Sequence, residues 1–144
     1  MGRCHIVLLL TVALTVSSIL AACAPATGLA EFEQGNRLAE ESLFEQAIES
    51  YDEAIRINSQ FGDAYRNRGR AYTSLKQFEQ AIENFDAAIQ LNPEDALAYL
   101  FRGASYTELG RRIEAIEDFE KFIALSDNPQ LTEAARQQIE ELEE

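Results

Sequence analysis

The chain repeats itself at a fixed interval, three times over: the step from Gly35 to Gly69 is the same as the step from Gly69 to Gly103. When the three copies are aligned, other positions agree as well: Ala47 with Ala81 and Ala115; Ile48 with Ile82 and Ile116; and Tyr51 with Phe85 and Phe119. Agreement at so many aligned positions with one spacing is typical of proteins built from stacked units of about 20 to 50 residues. The sequence therefore predicts a repeat fold.

Within each copy the apolar residues have helical spacing. In the first copy they stand at i, i+1, i+4, i+7 and i+8, which is the stripe of an amphipathic helix: Ala47, Ile48, Tyr51, Ala54 and Ile55. A second helical stretch precedes this one, and a short polar break separates the two. Each repeat is thus predicted to be two helices and a turn, and stacking of neighbouring pairs buries the apolar faces.

The repeated glycine stands in the middle of the first helix of each pair. Glycine in a helix interior costs roughly 1 kcal/mol relative to alanine, so its recurrence indicates a packing requirement. Gly69 on the first helix and Ala81 on the second would let two antiparallel backbones approach closely, with Tyr72 and Phe85 beside them.

The second copy carries the fullest set of these residues: Tyr65, Gly69, Tyr72, Phe78, Ala81, Phe85, Ala88 and Pro93. This pattern resembles the tetratricopeptide repeat. The resemblance implies an all-α, right-handed solenoid of three helix-turn-helix repeats, at residues 28–61, 62–95 and 96–129. Because proteins of this fold bind many different ligands, the resemblance implies little about the identity of a ligand.

The two outer copies depart from the repeat pattern. The third has Phe122 where a small alanine is usual and Asp127 where proline is usual. The first has Glu31 in place of the first aromatic residue, Gln34 in place of leucine and Ser59 in place of proline. Terminal repeats of solenoids are commonly atypical.

After the third copy, Asn128 and Pro129 resemble a helix start, with asparagine as the N-cap and proline at the first helical position. The apolar residues that follow share one face: Leu131, Ala135, Ile139 and Leu142. Residues 130–144 are therefore predicted to be a capping helix that covers the last repeat. The alternative is an amphipathic tail that binds a partner.

Residues 1–22 are predicted to be a secretory signal. Arg3 lies in a short cationic head, residues 6–20 are almost wholly apolar, and small residues follow. The apolar core is shorter than the roughly 20 residues that a membrane span needs. The sequence Leu20-Ala21-Ala22-Cys23 resembles the bacterial lipoprotein signal, in which cleavage occurs before the cysteine and the thiol carries a diacylglyceryl group.

By this resemblance Cys23 becomes the lipidated first residue, and residues 23–27 form the linker to the repeats. Ala24 stands where aspartate would resemble an inner-membrane retention signal, which favours the outer membrane, facing the periplasm, in a Gram-negative bacterium. The alternative is an ordinary cleaved signal that leaves Cys23 as a free thiol. N-myristoylation at Gly2 is disfavoured, because the residues that follow lack the serine or threonine of that motif.

The residues that would remain after cleavage disfavour an enzyme. Removal of residues 1–22 takes away Arg3, His5, Cys4 and no acid, so the formal net charge changes from −13 to −14. No histidine and no cysteine other than Cys23 then remains for base catalysis, a thiolate nucleophile or a soft-ligand metal site. Neither a cofactor, a metal nor a small-molecule substrate is predicted. Nucleic acid binding is disfavoured because the charge repels phosphate.

In the resembled family the first helix of each pair lines a concave groove. By the resemblance, the residues of this chain at the groove positions include Asn36, Arg66, Arg70, Thr73, Leu100, Ala104 and Thr107. Arg66 and Arg70 stand at i and i+4 and share one helical face, which predicts a basic centre that holds a peptide carboxylate. The alternative is that both arginines pair with nearby acids at the surface.

Some members of the family clamp a C-terminal carboxylate with two asparagines and three cations. The asparagines are present as Asn36 and Asn67, but the three cationic positions hold Phe32, Leu97 and Phe101. A clamp of this kind is therefore not expected.

These observations together predict a non-enzymatic, lipid-anchored protein that binds protein or peptide partners at a bacterial cell envelope. Its groove would act in envelope assembly or secretion. The alternative is a scaffold for cell-wall or other envelope enzymes, which would use the convex or acidic surface.

Overall fold

A computed structural model describes residues 27–144 of the chain. The predicted signal peptide, Cys23 and all of the predicted linker except Thr27 lie outside the described residues.

Residues 27–144 form seven helices and no strand, in the order of an all-α, right-handed solenoid. They are α1 (Leu29–Glu40), α2 (Phe44–Ile57), α3 (Gly62–Ser74), α4 (Phe78–Leu91), α5 (Ala96–Glu108), α6 (Arg112–Leu125) and α7 (Pro129–Glu143). Each helix packs against the next one along the chain, and α3 also contacts α1 and α5. The predicted architecture of three helix pairs and a capping helix is confirmed.

The helix pairs pack around alanines and one large ring in each repeat. Ala47, Ala81 and Ala115 are completely buried, and the rings of Tyr51, Phe85 and Phe119 are at most 2% exposed. The tight approach at the recurring glycine confirms the predicted packing requirement, because a methyl group on Gly35 would lie 2.5 Å from the Tyr51 ring.

The turn between the two helices of each pair requires a left-handed backbone. Ser42, Lys76 and Gly110 occupy equivalent positions and have φ values of 62°, 58° and 71°. Only Gly110 adopts this conformation without a steric cost, since residues with a Cβ atom disfavour it. The third turn therefore carries the residue best suited to the common geometry.

The capping helix explains one departure from the repeat pattern. Phe122 replaces the alanine that Ala54 and Ala88 provide in the earlier repeats, yet it is 1% exposed. It packs in a cluster with Ala115, Phe119 and Ala135, the last of which belongs to α7. Asn128 caps α7 as predicted, because its side chain accepts hydrogen bonds from the backbone of Gln130 and Leu131.

Candidate functional site

A cleft of about 510 Å³ opens where the first helices of the repeats come together. Its size falls in the range of about 300 to 1,000 Å³ that is usual for binding pockets. The lining comes from α1 (Asn36, Ala39, Glu40), α2 (Phe44, Tyr51), α3 (Asn67, Arg70, Ala71, Thr73, Ser74) and α5 (Phe101).

A small hydrogen-bond network holds Asn36 in the lining of this cleft. The Tyr51 hydroxyl and the Asn67 amide nitrogen both donate to Asn36 Oδ1, each at 2.8 Å. Burial raises the pKa of Tyr51, so its hydroxyl stays protonated and remains a donor. Because Asn36 Oδ1 accepts both bonds, the amide nitrogen Nδ2 is the part of Asn36 left to donate to a ligand.

Arg70 supplies the cleft with a positive charge. Its side chain is exposed, and its guanidinium lies 5.0 Å from the centre of the Phe101 ring, within the range of a cation–π interaction. Within residues 27–144, Arg70 forms no ion pair with an acidic side chain. The charge is therefore available to an incoming carboxylate.

Arg66 differs from Arg70, contrary to the prediction that the two form one basic centre. The Arg66 guanidinium pairs with Asp95 at 2.5 Å and with Asp63 at 2.7 Å. The Asp95 side chain is only 9% exposed, and it also accepts a hydrogen bond from the Ala98 nitrogen at the start of α5. Asp95 is the N-cap of α5, so Arg66 links α3 to the residue at which α5 begins. The alternative that the arginines pair with nearby acids therefore holds for Arg66 but not for Arg70.

Of the groove residues predicted from the sequence, the structure brings together Asn36, Arg70 and Thr73. Leu100 instead packs on the cluster beneath α7. Ala104 and Thr107 are not part of the cleft lining, and the Thr107 hydroxyl donates to the carbonyl of Gly103 in its own helix. The cleft is lined mainly by the first two repeats, whereas the prediction extended it along the third. In the third repeat, Leu100 packs on the core and does not line the cleft.

Five lining residues were not predicted as groove residues: Phe44, Tyr51, Asn67, Ala71 and Phe101. One signal for two of them was present in the sequence. Asn67 and Phe101 are separated by the repeat interval, so they occupy the same position on α3 and α5. Both residues line the cleft, and Asn67 stands three residues before Arg70 on α3.

No group of three or more His, Cys, Asp or Glu residues suited to hold a metal ion occurs in residues 27–144. Among the helices described, none has the length and apolar character needed to cross a membrane. The chemistry that this cleft offers is hydrogen bonding, one guanidinium, the carboxylate of Glu40 and apolar contact.

Comparison with known proteins agrees with this geometry. The family described as TPR repeat matches residues 28–74 and 69–110, and the family described as Tetratricopeptide repeat matches residues 96–129. No protein of curated function matches the sequence significantly.

Several solved structures resemble the fold. The first TPR of Spaghetti (RPAP3), bound to the HSP90 peptide SRMEEVD, is 26% identical with a TM-score of 0.76 over 83% of this chain and 93% of that one. The second TPR domain of the human RPAP3 protein, in complex with the HSP70 peptide SGPTIEEVD, is 28% identical with a TM-score of 0.75 over 84% and 99%. The Arabidopsis OM64 TPR domain is 26% identical with a TM-score of 0.77 over 81% and 97%.

The family matches extend over more than half of the chain, and the matched ranges contain the three helix pairs and the recurring glycine contacts. The fold is a scaffold for protein interactions rather than one that is typically enzymatic. The chain belongs to the tetratricopeptide repeat family.

Proposed function

We propose that this protein binds a segment of a partner protein in the cleft around Arg70. The observation that carries the proposal is the contrast between the arginines of the second repeat. Arg66 and Arg68 form ion pairs with Asp95 and Asp52, whereas Arg70 points its charge into a cleft with an apolar wall. A guanidinium in this setting binds a carboxylate more strongly than a neutral donor would.

The structural relatives support a peptide as the ligand. Two of them are TPR domains bound to peptides that end in Glu-Glu-Val-Asp. This chain differs at the positions where a carboxylate clamp would need cations, since they hold Phe32, Leu97 and Phe101. Phe32 packs on Phe61, with 4.7 Å between the ring centres, so we propose a peptide ligand without a clamp of that kind.

Site-specific photocrosslinking in native membranes tests which surface binds. A photoreactive amino acid would replace Ser74 in the cleft, Gln90 on α4 or Glu140 on α7, all of which are exposed. We expect discrete protein adducts from position 74 and none of the same mass from position 90. Adducts from position 140 alone would favour the second candidate described below.

We also propose that the protein is held at a bacterial cell envelope by a lipid on Cys23. The support is the sequence Leu20-Ala21-Ala22-Cys23 at the end of an apolar stretch. Attachment through two or three acyl chains is lasting, whereas one chain gives marginal binding. A tether of this kind raises the effective concentration of the cleft near other envelope proteins, which fits a role in envelope assembly or secretion.

Metabolic labelling with a fatty-acid analogue tests the anchor. We expect the label on the wild-type protein and its loss in Cys23→Ala, while Cys4→Ala, in the part of the chain predicted to be removed, keeps the label. A label that persists in Cys23→Ala would contradict lipidation at this residue.

The second candidate function is a scaffold for envelope enzymes that uses the acidic outer surface. The observation that favours it is the face of α7 turned away from the repeats. Ile139 and Leu142 pack on the core cluster of the third repeat, while the acids of the opposite face are exposed: Glu133, Glu140, Glu141 and Glu143. A basic surface on a partner would complement this face.

A further inference from the structure

The cleft presents one unpaired cation to a ligand rather than several. Among residues 27–144, the other arginines of α3 and α5 are each paired: Arg66 with Asp95, Arg68 with Asp52 and Arg102 with Asp118. Arg70 is the only one of these four that lines the cleft. A single guanidinium can hold one carboxylate through two parallel hydrogen bonds, and no second cation of the lining would neutralise another.

The same lining contains an acid that opposes further negative charge. Glu40 lies at the end of α1 with an exposed side chain. It forms no ion pair with Arg70 or with any other described cation. A second carboxylate on a ligand would therefore meet Glu40, and like charges in one site repel each other.

The rest of the lining is suited to an apolar group. Phe44, Tyr51 and Phe101 contribute three aromatic rings, and Ala39 and Ala71 contribute small apolar surface. Asn36 Nδ2 donates no hydrogen bond within the described residues, and no buried side-chain polar atom there lacks a partner. This nitrogen is therefore accessible and can donate to a carboxylate that Arg70 holds.

We propose that the cleft selects a peptide segment in which a single Asp or Glu side chain is adjacent to a large apolar side chain, and that it discriminates against runs of acidic residues. This inference rests on the proposed function and narrows its ligand. Arg70 and Asn36 bind the carboxylate, the aromatic wall accepts the apolar side chain, and Glu40 repels a second negative charge.

Selection from a defined peptide library tests this ligand chemistry. The probes are dodecapeptides with acetylated and amidated ends, composed of Phe, Leu, Glu, Gln and Ser, so that glutamate side chains are their only charges. The bait is the full chain as the cell produces it, purified in detergent. We expect enrichment of peptides with one Glu next to Phe or Leu, and loss of this enrichment with Arg70→Gln.

The role of Glu40 is tested with Glu40→Gln and its matched control Glu41→Gln. Glu41 is the adjacent exposed acid and does not line the cleft. We expect Glu40→Gln to raise the enrichment of peptides with two or three Glu residues about twofold to fivefold relative to those with one, which is the size expected for a solvent-screened pair. Glu41→Gln should leave the ratio unchanged.

Two results would overturn the inference in different ways. If wild-type protein enriches acidic runs over single acids, or enriches peptides regardless of glutamate, peptide binding stands but the selectivity proposed here is wrong. If it enriches no peptide above the Arg70→Gln background, the proposed peptide-binding function fails as well.

Discussion

Gly69 lies directly against the ring of Phe85, and a methyl group at residue 69 would stand 2.7 Å from Phe85 Cε1. The same contact recurs between Gly35 and Tyr51 and between Gly103 and Phe119. The glycine that costs stability within an isolated helix is thus required where two helices of a pair meet. The repeat interval of the sequence reflects this contact, repeated along the solenoid.

We predict that Gly69→Ala destabilises the protein by about 1 to 2 kcal/mol. Forcing a methyl group into this contact costs about 1 to 3 kcal/mol, and the better helix propensity of alanine offsets up to about 1 kcal/mol of that. The matched control is Gly62→Ala in the same helix, because a methyl group there would lie 3.7 Å from its nearest neighbour, Leu91 Cβ. Denaturant unfolding followed by circular dichroism measures both, and equal midpoints for the two variants would contradict the packing role.

Arg102 joins two repeats through acids on two second helices. Its guanidinium binds Asp118 through two hydrogen bonds of 2.7 Å and also reaches Asp86 at 2.5 Å. The Asp118 side chain is only 6% exposed, so this is a largely buried pair rather than a surface one. Arg68 makes the equivalent contacts with Asn84 and Asp52, which shows that the arrangement is part of the repeat.

We predict that Arg102→Met destabilises the protein by about 3 kcal/mol, because it leaves the Asp118 carboxylate buried without its partner. Arg136→Met is the matched control, since Arg136 pairs with Glu133 at an exposed position, and we expect its unfolding midpoint to equal that of the wild type. Denaturant unfolding at neutral pH distinguishes the two. An Arg102→Met variant as stable as Arg136→Met would show that the pair makes no net contribution to stability.

The loss in Arg102→Met should depend on pH. Burial raises the pKa of Asp118, and the pairing with Arg102 opposes this rise. Without Arg102 the pKa of Asp118 in the folded protein rises further. A carboxyl group whose pKa is higher in the folded state favours folding below that pKa and loses this contribution as the pH rises through it.

We therefore expect the difference in unfolding free energy between wild type and Arg102→Met to be larger at about pH 7.5 than at about pH 5, because a raised pKa brings protonation of Asp118 in the variant to higher pH. In the background of Asp118→Asn, the change Arg102→Met should lose this dependence on pH. The same difference at both pH values would contradict the assignment to Asp118.

The fold was predictable from the sequence because each of its determinants is local or periodic. The apolar stripe from Ala47 to Ile55 defines an amphipathic helix on its own, and Asn128 and Pro129 define the start of α7. The roles of the arginines were not predictable in the same way. Arg66 and Arg70 share a helical face, but Asp95 stands directly before α5, and only the packing of α5 against α3 decides which arginine Asp95 meets.

Phe101 shows the same limit for the cleft. From the sequence it was notable only as the absence of a clamp cation, whereas in the structure its ring lies beneath Arg70. The contact joins two repeats, so it depends on how far α5 is displaced from α3 along the solenoid. The sequence period indicates that both residues belong to first helices, but it does not supply the distance between them.

The most direct test of the central claim is the affinity of the cleft for its ligand with and without the charge of Arg70. Isothermal titration calorimetry would measure how tightly the peptide most enriched by the wild-type protein binds to the wild type, to Arg70→Gln and to Arg112→Gln. Arg112→Gln is the control, because it makes an equal change of charge on an exposed residue of α6. The account predicts that Arg70→Gln weakens binding about tenfold or more, as expected for the loss of a charge-assisted hydrogen bond, while Arg112→Gln binds as the wild type does. Equal affinities for wild type and Arg70→Gln would contradict it.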